Sequence, residues 1–163
     1  MISAATGTRD AWFDKLTRVA LERGVVMTFS GPLEDRMALR ELLDAYADAV
    51  CRHDAAAWAT TWVEDCLWVL PGFGEFSGKA LVVDTWQTAM EAFPGIVFRA
   101  WPGAMTIDGD RASMRSYTSE TYTRDGVTHH DMGVYDDICS KVGGRWHFVS
   151  RNFLPLRREP AVR

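Results

Sequence analysis

Apolar residues recur every three to four positions through the first half of the chain and every second position through the rest. Trp12, Phe13, Leu16, Val19 and Ala20 lie on one side of a helix predicted from about Arg9 to Arg23, which Gly24 stops. Val25 to Phe29 reads as a short extended piece. "SGPLEDR" then opens a second helix, with Ser30 placed to cap it and Pro32 where the missing N–H costs nothing. Met37, Leu42, Leu43, Tyr46, Ala47 and Val50 carry its apolar stripe to about Arg52. "HDAAAWATTW" predicts a third, short helix with Trp58 and Trp62 on one face, and "CLWVLPG" a strand ended by Pro71-Gly72. After the glycine-rich turn "GFGEFSG" comes a helix over "KALVVDTWQTAMEAF", with Leu81, Val82, Thr85, Trp86, Ala89 and Phe93 inward and Pro94-Gly95 as its stop.

From Ile96 onward the period is two. Four strands are predicted, over "IVFRAWPGAMTIDGD", "RASMRSYTSETYTRDG", "VTHHDMGVYDDICSKVGG" and "RWHFVSRNFLPL". Asp108-Gly109-Asp110, Arg124-Asp125-Gly126 and Gly143-Gly144 are the hairpin signals between them. Helices first, one strand, a helix and then a meander make an α+β fold, a strongly curved antiparallel sheet wrapped around helices. Such a sheet leaves a cone whose mouth is a small-molecule pocket.

Composition narrows the partners. The 163 residues carry a net charge of −4 and no basic run, which argues against nucleic acid and against an anionic membrane surface. The first thirty residues mix Arg9, Asp10, Asp14, Lys15 and Arg18 with apolar ones, unlike a signal peptide, and no apolar stretch reaches membrane-spanning length. Cys51, Cys66 and Cys139 are odd in number and widely spaced, so free thiols in a reducing cytoplasm are expected. Seven tryptophans and eight phenylalanines exceed what a plain core needs and fit a ring-lined cavity.

"LRELLDAYADAVCRHDAAAWATTWVEDCLWVLPG", then "IDGDRA", then "GVYDD" with "GGRWHF" closing the last hairpin, resemble the NTF2-like superfamily and within it the SnoaL-like branch of polyketide cyclases, scytalone dehydratase, ketosteroid isomerase and a dehydrochlorinase. The resemblance runs from about Leu33 to Leu156 and implies the NTF2-like cone. Residues 1–29 fall outside it as an N-terminal helical extension, with residues 30–163 as the SnoaL-like domain. The fold hosts enzymes, binding modules and subunit-association domains, so function must come from the site.

The resemblance implies chemistry at four positions. Tyr46, eight residues before Asp54 on the first family helix, matches the isomerase tyrosine that donates to an oxyanion. Asp131, counted back from Ile138, matches that enzyme's second donor, an aspartic acid kept protonated by an apolar site. Glu120 shares a strand face with Thr118 and Tyr122, a face that lines the dehydratase pocket, and could serve as general base or acid. His129 and His130 point to opposite faces, so one of them, His129, could pair with Asp131 or Glu120. Ligand contacts are expected from Val50, Trp68, Leu70 and Phe98, and from Thr118, Tyr122, Tyr135 and Asn152.

Three positions depart from the family. The isomerase has its base directly before the strand-ending proline, where this chain has Leu70. The dehydratase and dehydrochlorinase use an aspartate on the first helix and a histidine at the start of the second strand; here those positions read Cys51 and Phe98, or Arg99 with a one-residue slip. Neither metal nor cofactor is expected. The outer face of such a sheet needs cover, so a homodimer or higher homo-oligomer is expected; the resemblance implies a cofactor-independent enzyme, an isomerase, dehydratase or cyclase, moving protons on a hydrophobic, cyclic, oxygenated small molecule. Two alternatives stay open: a non-catalytic ligand-binding module, and the small subunit of a ring-hydroxylating dioxygenase.

Overall fold

The computed structural model describes the backbone of residues 29–160 and the side chains of residues 29–157. The expected helix at Arg9–Arg23 and the extended stretch before Phe29 lie outside the described residues. A two-residue strand β1 (Phe29–Ser30) leads into helix α1 (Leu33–Arg52), the short α2 (Ala55–Ala59), strands β2 (Trp62–Leu70) and β3 (Gly74–Ser77), helix α3 (Lys79–Met90) and four long strands. These are β4 (Val97–Asp108), β5 (Arg111–Arg124), β6 (Val127–Val142) and β7 (Arg145–Pro160).

Helix α1 forms because Leu39, Leu42, Leu43, Tyr46, Ala49 and Val50 make one continuous buried stripe. Glu34 and Asp35 in the first turn and Arg52 in the last complement its dipole. It ends at His53, left-handed at φ 53°, whose N–H bonds the carbonyls of Ala49 and Val50. The Asp54 carboxylate then caps α2 by accepting from the Ala57 N–H at 2.9 Å. In α3, Val82, Trp86 and Met90 share one buried face, and Trp86 stacks on Trp58 of α2 at 4.7 Å.

All seven strands form one sheet in the order β1-β4-β5-β6-β7-β2-β3. The β4–β5–β6–β7 meander is antiparallel throughout, and β7 then pairs parallel with β2. The hairpin turns Asp125-Gly126 and Gly143-Gly144 have positive φ at both central residues, as a tight two-residue turn between twisted strands requires. Register shifts between Pro102 and Ala104 in β4 and opposite Met132 and Gly133, where Leu156 is the extra residue of β7, bend the strands. At the second, a Cβ on Gly133 would overlap the Phe153 ring. The result is a curved, unclosed sheet with helices in its hollow, the NTF2-like cone.

Local expectations shift in five places. Met37 is 49% exposed, and Leu39 takes the first buried place in the α1 stripe. Ser30 does not cap α1: it pairs with Thr106 in the sheet, and Pro32 takes the cap position with no side-chain bond. Trp62 begins β2 rather than extending the short helix, because the hydroxyls of Thr60 and Thr61 bond back to the carbonyls of Ala57 and Trp58 and end it. The "GFGEFSG" segment contains β3, a hairpin partner of β2. Leu81 is 49% exposed and Met90 takes the buried place instead, while Phe93 lies past the end of α3. No described helix is long and apolar enough to cross a membrane.

Candidate active site

The sheet and helices enclose a cavity of about 510 Å³. Its deep wall is aromatic: Tyr46 from α1, Trp68 from β2, Trp86 from α3, Phe98 from β4 and Tyr135 from β6, all at most 7% exposed. Val50 and Leu70 complete this wall. The mouth carries Phe73, Phe93, Arg124, His129, Met132 and Arg157, with Phe73 72% exposed at the β2–β3 turn.

Strand alternation delivers the polar groups. The inward face of β5 reads Ala112, Met114, Ser116, Thr118, Glu120 and Tyr122, so it turns from apolar to polar as it climbs toward the mouth. Glu120 lines the cavity and its Cα lies directly opposite that of Asp131 on β6. Two carboxylates on facing positions repel unless other groups compensate. On the Asp131 side, the Tyr122 hydroxyl donates to Oδ2 at 2.9 Å and Arg124 Nη2 reaches the same hydroxyl at 3.4 Å. The His129 ring stacks on Tyr122, centroids 5.1 Å apart, and Phe93 meets Tyr122 edge-on at 4.7 Å. Burial, reinforced by the bond to Asp131, pushes the Tyr122 phenol up.

Below the aromatic wall lies a fully buried polar cluster. Arg151 Nε is 2.8 Å from Asp137 Oδ1 and Nη2 is 3.3 Å from Oδ2. Ser116 donates to Asp137 and accepts from Arg151 Nη2 at 3.0 Å. The guanidinium packs on the rings of Tyr46, Phe148 and Tyr135 at 4.3, 4.1 and 4.0 Å. Burial works against its charge, but Asp137 and the surrounding oxygens hold Arg151 above its ordinary value, so it stays cationic. Burial also raises Tyr46 and raises Tyr135 strongly, keeping both phenols neutral, while Arg151 pulls each part of the way back.

Tyr46, Glu120, His129 and Asp131 all line one cavity, together with Val50, Trp68, Leu70, Phe98, Tyr122 and Tyr135. Two expected contacts do not. Thr118 is wholly buried behind the wall, its hydroxyl without a hydrogen-bond partner. Asn152 is exposed, because Arg151 and Phe153 on either side of it turn inward. Asp131 is half-buried near the mouth, where it accepts the Tyr122 hydrogen bond. Cys51 meets the backbone of Phe98, its sulfur 3.2 Å from the amide nitrogen and 3.4 Å from the carbonyl oxygen. Sequence reading missed the Ser116–Asp137–Arg151 cluster. Its one signal was parity, since Ser116 shares a face with Glu120, and Asp137 with Asp131. Among the described residues no three His, Cys, Asp or Glu side chains converge as metal ligands.

The hexachlorocyclohexane dehydrochlorinase LinA-type3 from Novosphingobium barchaimii superposes with a TM-score of 0.71 at 16% identity, covering 78% of this chain and 90% of that one. A protein from Novosphingobium aromaticivorans assigned as a scytalone dehydratase gives 0.72 at 23% identity over 80% and 91% of the two chains. Another from the same organism, assigned as an aromatic ring hydroxylase, gives 0.70 at 22% over 81% and 96%. At these identities the likeness is one of fold. No curated protein matches the chain. The SnoaL-like domain family matches residues 31–152, three quarters of the sequence, and the chain belongs to that family.

Proposed function

We propose that this chain is a cofactor-independent acid–base enzyme that moves a proton next to a carbonyl on a hydrophobic, cyclic, oxygenated small molecule. The observation that carries the reading is Glu120. It is a carboxylate facing an aromatic cavity that Tyr46, Tyr122 and Tyr135 also line. A base and hydroxyl donors around one apolar volume are what enolisation needs. Glu120 takes the proton from the carbon beside the carbonyl, the C–H electron pair moves into the C–C bond, and the carbonyl oxygen becomes an enolate held by the Tyr46 hydroxyl. The enolate then collapses back to a carbonyl, either by taking a proton at another carbon or by expelling a leaving group. Asp131 orients Tyr122 at the mouth, and the stacked His129 is in place to exchange protons with solvent.

Leu70, Cys51 and Phe98 or Arg99, which stand where the resemblance implies acid–base residues, favour a second reading, a module that binds such ligands without turning them over. A panel of cyclic enones, hydroxy-ketones and hydroxylated aromatics, assayed with the wild type and with Glu120→Gln, separates the two. Turnover by the wild type that falls about 10²- to 10⁴-fold in the variant supports the enzyme. Tight binding with no turnover, or a Glu120→Gln variant as fast as the wild type, refutes it.

A further inference from the structure

We infer that Arg124 is a specificity-determining residue at the mouth, that its guanidinium takes a carboxylate carried on a short arm of the ligand, and that the substrate class is therefore a cyclic keto acid bound with its ring inside and its anion at the rim. The keto half rests on the acid–base reading above, while the anion half rests on the contacts of Arg124. Arg124 lines the cavity from the end of β5 and is exposed. Its guanidinium lies over the Tyr122 and Phe93 rings, 5.5 and 6.0 Å from their centroids. Those rings meet edge-on at 4.7 Å, so the platform beneath the cation is itself packed. Nη2 donates to the Tyr122 hydroxyl at 3.4 Å, and among the described residues no carboxylate lies within ion-pair distance of Arg124. A guanidinium carries five N–H donors in a fork that matches a carboxylate. A cation that lines a cavity, is seated on two rings and has no paired carboxylate among the described residues is a receptor for an anion that the ligand supplies.

The carboxylates of the cavity do not take that place. Asp131 accepts from the Tyr122 hydroxyl at 2.9 Å, so this hydroxyl stands between Arg124 and Asp131, accepting from one and donating to the other. Glu120 lies one inward position deeper than Tyr122 on β5. Arg157 of β7 lines the same opening, and His129 of β6 stacks on Tyr122 at 5.1 Å. Arg124 and Arg157 cancel Glu120 and Asp131 in formal charge, so the opening holds no excess field for a dianionic phosphate. What it offers is one local fork, which suits a single carboxylate.

The grading of the cavity sets the shape of the ligand. Its deep aromatic wall is at most 7% exposed, whereas Arg124 and Arg157 stand exposed at the rim. Apolar rings are driven into the first, and a charge keeps its hydration at the second. Glu120, Tyr122 and Arg124 take successive inward positions on β5, and the Arg124 side chain turns back over Tyr122. The anion site thus lies about one inward step above Glu120, roughly 7 Å along an antiparallel strand. A ring whose acidic carbon meets Glu120 reaches that height with a short alkyl arm.

Naphthylpropanoate and its amide are the probes, measured by titration calorimetry. They bring the same rings to the aromatic wall, differ in charge, and need no turnover. The acid should bind the wild type about 3- to 10-fold more tightly than the amide at low salt. That preference should shrink as salt is added. Arg124→Gln should abolish it while leaving the affinity for the amide unchanged, and Arg124→Lys should restore part of it. Thermal melting of each variant checks the fold. A wild type that binds the acid no better than the amide, or that binds neither, overturns the assignment, as does a preference that survives Arg124→Gln. An acid preference that Arg124 controls, in a protein that turns over no ketone, removes the acid–base reading and leaves the anion site standing. Turnover that depends on Glu120 with no preference for the acid does the opposite.

Discussion

Two arginines pack on tyrosine rings of one cavity, Arg151 from beneath the deep wall and Arg124 at the mouth. Arg151 is wholly buried, lies 4.0 to 4.3 Å from three ring centroids, and is bound twice to a carboxylate that is itself 1% exposed. Arg124 is exposed, 5.5 Å from Tyr122 and 6.0 Å from Phe93. The two contacts look alike in outline and differ in kind. In a dry interior the guanidinium could not leave its partners without stranding a charge, so Arg151 fixes the positions of Tyr46 and Tyr135. At the mouth water screens the charge of Arg124 and offers a substitute for its lost bonds, so the Arg124 guanidinium can rearrange around a ligand at small cost. The deep end is therefore read as the preorganised half of the site and the mouth as its adjustable half.

The sharpest way to break this contrast is at Arg151. Arg151→Met leaves Asp137 buried without its cation and is expected to cost about 3–5 kcal/mol of stability, read by urea unfolding. Replacing the cluster together, as Arg151→Met with Asp137→Leu and Ser116→Ala, should recover much of that loss, because no unpaired charge then remains. A single-variant cost below about 1 kcal/mol would contradict the contrast. Glu120→Gln comes next, with turnover down about 10²- to 10⁴-fold and an unfolding midpoint close to that of the wild type. Tyr122→Phe removes the bond to a half-exposed Asp131 and should cost only about 0.5–1.5 kcal/mol in the same unfolding assay.

The smallest effect concerns acid stability away from the cavity. The Lys141 ammonium and the Trp146 indole both bond Asp35 Oδ1, at 2.7 and 2.9 Å, and hold its carboxyl below the usual carboxylate range. A depressed folded value means stability that is present above the unfolded pKa and lost as pH falls through the folded one. Asp35→Asn should therefore lower the melting temperature at neutral pH, with the difference from wild type vanishing as the solution is acidified below the ordinary aspartate range.

The parts of the fold that could be read from sequence are those with local causes. The β4–β7 meander follows from period-two alternation and from glycine turns whose positive φ few other residues accept. Helix α1 follows from its stripe. Ser30 misled because the decisive contact is distant: Gly31 runs so close to Ile107 that a Cβ there would lie 2.6 Å from the Ile107 Cβ, which seats Ser30 beside β4. Trp62, spaced like a helix partner of Trp58, still meets it at 5.3 Å, but from the start of a strand. In the site, Tyr46, Glu120, Tyr122, His129 and Asp131 could be placed by parity and family resemblance, and all reach the cavity. Arg151 could not. Its partners lie 14 and 35 residues away, joined to it only by the register of three strands, and a lone arginine in "VSRNF" carries no local sign of burial.

The central claim is that Glu120 removes a proton from carbon. Following deuterium uptake beside the carbonyl of a bound cyclic ketone in heavy water, by proton NMR, tests it without knowledge of the natural substrate. The account predicts exchange catalysed by the wild type and about 10²- to 10⁴-fold slower with Glu120→Gln. Exchange at equal rates in the two proteins, or none with either across cyclic ketones that bind, would contradict it.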